Sequence, residues 1–326
     1  MPERLAKLPR LISLVPYRFE DGEFSGVPRF DFELRRALPK LQSVSIKFWT
    51  RAWLRWLAWR EPDTIVITGN ETSMLVPQGL RTIVMHHGCA QTHWDRDPEW
   101  RWSLPRTMCQ GQRNMYGLAN RWYVAIARWT AEQFSQQYGV PQARVLPSWV
   151  ESIARQPRAV GRKVVLGDFR SFNKGSRTVD QLRERVPELE FRALKCTYQT
   201  RMAAYAEVDA YLCLSLSEGG AFSVSDAEAA SLPLVTTDVG NYLEYASSYV
   251  LSWQERDDVE LVARKLEQAL ASERGPSFFE SWTFEQWQNG WRQLVEEVAD
   301  TRERAPLRSQ LGALPSPTAP SAGSSR

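Results

Sequence analysis

Two carboxylates and a glycine pair sit close together in Ser215–Asn241, which reads SLSEGGAFSVSDAEAASLPLVTTDVGN. Glu218 and Asp226 are eight residues apart, just over two turns of a helix. Gly219 and Gly220 have no side chains, so a ligand can reach their backbone N–H groups. Ala221 and Phe222 follow at the start of a helix, where the peptide dipoles favour a phosphate. Ser223 or Ser225 is placed to cap that helix. Carboxylates accept hydrogen bonds from hydroxyls. The chemistry this segment suits is therefore a phosphate joined to a hydroxyl-rich group.

Other residues could share that work. Val164–Gly175, VVLGDFRSFNKG, puts Arg170 and Lys174 in a loop, where fixed positive charge can meet growing negative charge. Thr82–Gly88, TIVMHHG, delivers His86 and His87 to the end of an apolar run. All three histidines fall between residues 86 and 97, and His86, His93, Asp95 and Asp97 form a set that could ligate a metal. Near the N-terminus Gly22 and Gly26 mark a loop before a helix.

These groups need strands and helices to hold them. Short apolar runs alternate with helical stretches. Strands are expected at Leu11–Val15, Thr64–Thr68, Thr82–His86, Tyr123–Ala127, Lys163–Gly167, Leu189–Ala193, Ala210–Leu214 and Leu234–Thr236. Most are apolar throughout, as parallel strands covered on both faces are. Helices are expected at Phe30–Leu38, Thr130–Tyr138, Arg177–Arg185, Ser225–Ala230 and Asp258–Ala271. The alternation predicts an α/β fold with parallel sheets. Glu218 and its glycines then lie at the carboxyl end of a strand, where open α/β sheets bind ligands.

Residues 210–241 resemble the donor-binding segment of the family-4 (group 1) retaining glycosyltransferases of the GT-B fold. That pattern is a Glu, seven residues, a second Glu, then a small-residue turn with Pro and a strand. Asp226 stands where the family has its second Glu, one methylene shorter. The Gly167–Gly175 loop is similar to the family's basic loop, and Thr82–Gly88 to its strand ending in His-Gly. The resemblance implies two Rossmann-like domains facing across a cleft. It implies a nucleotide-diphosphate sugar as donor, with Glu218 on the sugar and Asp226 on the ribose. Gly219, Gly220, Ala221 and Phe222, with Lys174 and Arg170, would take the diphosphate. His87 would hydrogen-bond a donor hydroxyl or orient the acceptor, a glycan or lipid-linked molecule, and Gly26 would reach toward the donor diphosphate and the acceptor. It implies no metal and no cofactor beyond the donor. Asp95-Arg96-Asp97 copies the metal-binding motif of GT-A enzymes, but lies in a polar loop well past a strand. A catalytically inactive sugar-nucleotide-binding module and a sugar-nucleotide epimerase are the alternatives.

The bulk numbers fit this scale. The 326 residues suit two domains. They are expected over 1–151 and 162–299, with a junction around residues 152–161 and a Trp-rich helical segment, Phe278–Ala299, closing the second domain. Residues 301–326, rich in Arg, Pro, Ser, Gly and Ala, are expected to be disordered. Four scattered cysteines and the lack of an apolar leader suggest a reduced, cytoplasmic setting. A net charge of +3 makes no case for nucleic acid. The first 60 residues hold twelve Lys/Arg against six Asp/Glu, which suits a phosphate-bearing partner or an anionic membrane. Residues 49–60, WTRAWLRWLAWR, form a helix with Trp49, Trp53, Trp56 and Leu57 on one face and Arg51 and Arg55 opposite. Its Trp face either packs on the sheet or lies at the inner face of a membrane as a peripheral contact.

Overall fold

The computed structural model describes residues 9–16, 26–99, 106–155, 161–245, 248–272, 275–301 and 304–307. Its first half runs β1 (Leu11–Val15), α1 (Gly26–Ala37), β2 (Leu41–Ser45), α2 (Thr50–Arg60), β3 (Ile65–Gly69), β4 (Arg81–His86), α3 (Ala90–Arg96), α4 (Arg106–Met115), β5 (Arg121–Ala125), α5 (Arg128–Tyr138) and β6 (Arg144–Val145). These strands form one sheet in the order β2-β1-β3-β4-β5-β6. The second half runs β7 (Lys163–Gly167), α6 (Ser176–Arg185), β8 (Leu189–Ala193), α7 (Arg201–Ala206), β9 (Ala210–Cys213), α8 (Phe222–Ala229), β10 (Leu234–Thr237), β11 (Ser248–Leu251), α9 (Val259–Ala271), α10 (Phe278–Ser281) and α11 (Phe284–Asp300). Its strands form a second sheet, β11-β10-β9-β7-β8. Every described pairing is parallel. The continuous apolar strands behave as expected: β1, β4 and β9 are buried along their whole length.

The expected boundary needs one correction. Helix α11 does not close the second domain. It packs on α1, β3 and β4 of the first. Trp287 and Trp291 are fully buried there, with Phe30 edge-on to their rings at 6.2 and 5.9 Å. Two buried indoles contribute roughly 1.5–3 kcal/mol each by removal from water, and the first sheet offers the apolar face that receives them. A capping box at Thr283 and Gln286 starts the helix on that path.

The tail also departs from expectation over four residues. Arg304 exchanges backbone and side-chain hydrogen bonds with Asn120, and Leu307 packs against the core cluster that contains Tyr116 and Phe134. Residues 302–303 and 308–326 lie outside the described residues, as do Gly22 and most of the expected N-terminal loop.

Helix α2 turns Trp56 and Trp59, with Trp49 just before it, away from the sheet. Thr50, Leu54 and Leu57 are its buried residues, with Trp53 partly covered. Trp49, Trp56 and Trp59 are 46%, 50% and 76% exposed, and Phe48 is wholly exposed. Among the described residues no helix is long and apolar enough to cross a membrane.

Candidate active site between the two sheets

Strand β9 ends in a buried Ser215–Ser217 segment, and Glu218 emerges half-buried just before α8. One Glu218 carboxylate oxygen, Oε1, accepts from Lys174 Nζ and, at 2.9 Å, from Ser215 Oγ. Lys174 ends a short 3₁₀ turn, Phe172–Lys174, after β7. Gly175 fixes that turn: its φ is +80°, and a Cβ there would lie 2.5 Å from Leu214. Burial lowers the pKa of Lys174. Lys174 and Glu218, 44 residues apart, thus share one point of the cleft. Arg170 lies farther out, forked onto Asp168 at 2.7 and 2.9 Å.

The glycine loop does something other than stay open for a ligand. A Cβ on Gly219 would sit 1.4 Å from the carbonyl oxygen of His87, so the first domain's own loop takes the close approach. Thr130 Oγ1 donates to the Gly219 carbonyl. Gly220 has φ +144°, and a Cβ there would press on Ile126 at 3.0 Å. No side chain caps α8: its N-cap is Ala221, while Ser225 Oγ bonds back to the Ala221 carbonyl and to Tyr245. The uncapped first turn, with Ala221, Phe222 and Ser223, therefore faces a cavity and remains suited to an anion.

Asp226 is not on that cavity. Its side chain is fully buried, and both oxygens accept from Arg29 of α1 at 2.7 Å. Arg201 approaches to 3.7 Å, and the Arg29 guanidinium lies 4.3 Å from the Phe222 ring centre. This geometry makes Asp226 part of a bridge between the domains. Burial works against the Arg29 charge, but Asp226 outweighs it and raises the pKa. Arg29 escaped the sequence reading; its partner lies 197 residues away. Gly26 is the first residue of α1 rather than a loop glycine, and open space surrounds it.

The histidine pair divides its roles. His86 is 1% exposed, stacked on Phe134 at 3.8 Å, with Nε2 3.1 Å from the Tyr116 hydroxyl. It belongs to the core. His87 enters the cleft edge-on to Phe30 at 5.3 Å, and its Nε2 has no partner. Burial lowers its pKa to about 4, so the ring is neutral at pH 7. His93 pairs with Asp97 at 3.3 Å. Among the described residues no three His, Cys, Asp or Glu side chains converge as metal ligands would.

Two cavities meet at Glu218. One, about 280 Å³, is lined by Gly26, Arg29, Asp168, Arg170, Lys195, Cys196, Glu218 and the start of α8. The other, about 410 Å³, lies between the domains and touches Asn70, Glu71, His87, Asn173, Lys174, Glu218 and Gly219. Glu218 can therefore face ligands on two sides, with the Lys174 ammonium beside it.

No protein-family model matches the chain. A sequence comparison with curated proteins finds no match either. Solved structures do match. Sucrose-phosphate synthase (tll1590) from Thermosynechococcus elongatus aligns with a TM-score of 0.63 at 11% identity, covering 89% of this chain and 96% of that one. WaaG, a glycosyltransferase involved in lipopolysaccharide biosynthesis, aligns at 0.57 and 14%, covering 89% and 98%. The pneumococcal O-GlcNAc transferase GtfA, in complex with UDP and GlcNAc, aligns at 0.52 and 15%, covering 77% and 60%. Identities this low speak to fold, and with two parallel-sheet α/β domains facing each other the chain has the GT-B fold.

Proposed function

We propose that this chain is a glycosyltransferase that moves a hexosyl group from a nucleotide-diphosphate sugar to a glycan or lipid-linked acceptor. The observation that carries this reading is the Lys174–Glu218 pair at the meeting point of the two cavities. The nucleotide would occupy the cavity at the α8 N-terminus. Its diphosphate would draw Lys174 away from Glu218, with Arg170 at the rim. Glu218 would then accept hydrogen bonds from the donor sugar, and neutral His87 would meet a hydroxyl from the other domain. Lys174, Arg170 and the helix dipole supply positive charge where the leaving diphosphate gains negative charge, which suits transfer without a metal. The family resemblance of residues 210–241 suggests retention of configuration.

The test is turnover of UDP-, GDP- and ADP-sugars by the purified chain, with product stereochemistry read by NMR and activity compared with and without chelator. UDP comes first because GtfA is seen with UDP and GlcNAc. Nucleotide binding with no transfer to any acceptor would favour an inactive module. Interconversion of the sugar would favour an epimerase.

The acceptor's setting is proposed to be an anionic membrane surface. Exposed Trp56 and Trp59 on α2, with Phe48 and Trp49 just before it, form an aromatic arc, flanked by exposed Arg51 and Arg55 on one side and Arg60 on the other. Indoles at headgroup depth beside arginines are the pattern of an interfacial helix. Sedimentation with phosphatidylglycerol–phosphatidylcholine vesicles should carry the protein down, and phosphatidylcholine alone should not. Retention of vesicle binding by a Trp56→Ser, Trp59→Ser double variant would remove this part of the proposal.

A further inference from the structure

The larger cavity also indicates what it would bind. We infer that it is the acceptor site and that Asn70 and Glu71 select an uncharged, hydroxyl-rich acceptor group, a sugar ring or polyol, over an anionic one. This rests on the glycosyl-transfer reading and names its second substrate's class.

The charge of the lining disfavours an anion. Glu71 and Glu218 bring two carboxylates; Lys174 is the only Lys or Arg among the described lining residues, and it is committed to Glu218 or, once the donor is bound, to the diphosphate. His87 is neutral above about pH 4, and burial lowers His93 as well. A phosphate or carboxylate entering here would meet no uncommitted cation, and desolvating it without one is costly.

The lining also holds unmet hydrogen-bonding capacity. Asn70 Oδ1, Asn173 Oδ1 and His87 Nε2 are buried and find no partner in the protein. Asn70 has already spent its Nδ2 on the Gly88 carbonyl at 3.1 Å. What remains at the Asn70 amide is acceptor capacity, and a group rich in O–H donors satisfies it.

The Glu71 carboxylate is pre-organised. Gln112, 1% exposed, uses its whole amide as a bracket. Its Oε1 accepts from Ala90 N at 2.8 Å and from the Tyr138 hydroxyl at 3.2 Å. Its Nε2 donates to the Gly88 carbonyl at 3.1 Å and to Glu71 Oε2 at 3.2 Å. Glu71 is thus fixed by one oxygen while the carboxylate keeps capacity for a ligand. Asn70 holds a left-handed φ of +24°, a conformation that non-glycine residues rarely adopt without a reason. Both residues follow β3, at the carboxyl end of a parallel strand.

The test uses the full chain and saturation-transfer NMR with methyl glycosides of glucose, galactose and N-acetylglucosamine, set against glucose 6-phosphate. At least one neutral glycoside should bind, and more tightly than the phosphate. Glu71→Gln should weaken that glycoside about tenfold, the scale of a hydrogen bond to a charged group, while UDP binding, read by thermal shift, stays as in wild type. Asn70→Gly relieves the backbone and should keep the fold while weakening the glycoside. Tighter binding of glucose 6-phosphate, no glycoside binding, or glycoside binding insensitive to both variants would overturn the inference. Failure of the wild type to bind any of UDP, GDP and ADP would instead strike at the glycosyl-transfer reading.

Discussion

Arg29 in the first domain closes both ends of its guanidinium on the Asp226 carboxylate in the second, each bond 2.7 Å and the pair sealed from solvent. The shorter side chain at position 226 therefore serves the domain interface. Breaking a buried pair leaves one charge unpaired, which costs about 3–5 kcal/mol. Asp226→Ala should lose roughly that much stability in urea unfolding. Adding Arg29→Met should restore much of it, because the Arg29 guanidinium is then no longer buried without its partner. If Asp226→Ala kept full stability and lost nucleotide binding, the ribose role would be the right one after all.

The Lys174–Glu218 pair predicts a different pattern. Both groups meet at the junction of the two cavities. Lys174→Ala should lower kcat/KM with the donor by roughly 10²–10³, the size of one lost charge-stabilising group. Glu218→Ala should fall comparably, and the double variant should fall little further, since the two act as a unit. Steady-state donor kinetics of the three variants decide it; additive losses would mean that the residues act separately.

Acid should destabilise the protein through its buried histidines. Burial lowers the pKa of His86 to about 3 and of His87 to about 4, against 6.5 unfolded. Between those values the unfolded chain takes protons that the native one refuses. The stability from keeping them neutral is fully present above pH 6.5 and is lost as pH falls towards 3–4. For His86, this amounts to at most about 2 kcal/mol at pH 5. His86→Leu should show a shallower loss of stability from pH 7 to 5 than wild type in denaturant titrations. Parallel losses in the two proteins would mean that His86 does not carry the effect.

Much of this architecture was legible in sequence, and the gaps have physical causes. Strands buried on both faces announced themselves as apolar runs. Strands β2, LQSVS, and β11, SYVL, did not, because they lie at sheet edges and are only partly buried. Two-residue β6 is too short to leave a pattern. Glu218 and Lys174 were readable because each sits on a strand-end loop of recognisable type. The partnership of Arg29 with Asp226 was not, since a contact across 197 residues leaves no local period. Nor were the left-handed backbone of Asn70 and the Gln112 bracket, which depend on neighbours that the fold alone assembles.

The same limit explains α11. Its apolar spacing marks a buried face but cannot say which sheet receives it. Trp287 and Trp291 give the answer by packing on Phe30 of the first domain. A large aromatic removed from a core costs about 3–5 kcal/mol. Trp291→Ala should therefore destabilise the first domain although it lies near the chain's end. Hydrogen exchange should quicken in β3 and β4, which α11 covers, before it quickens in β9 and β10. Faster exchange confined to β9 and β10 would return α11 to the second domain.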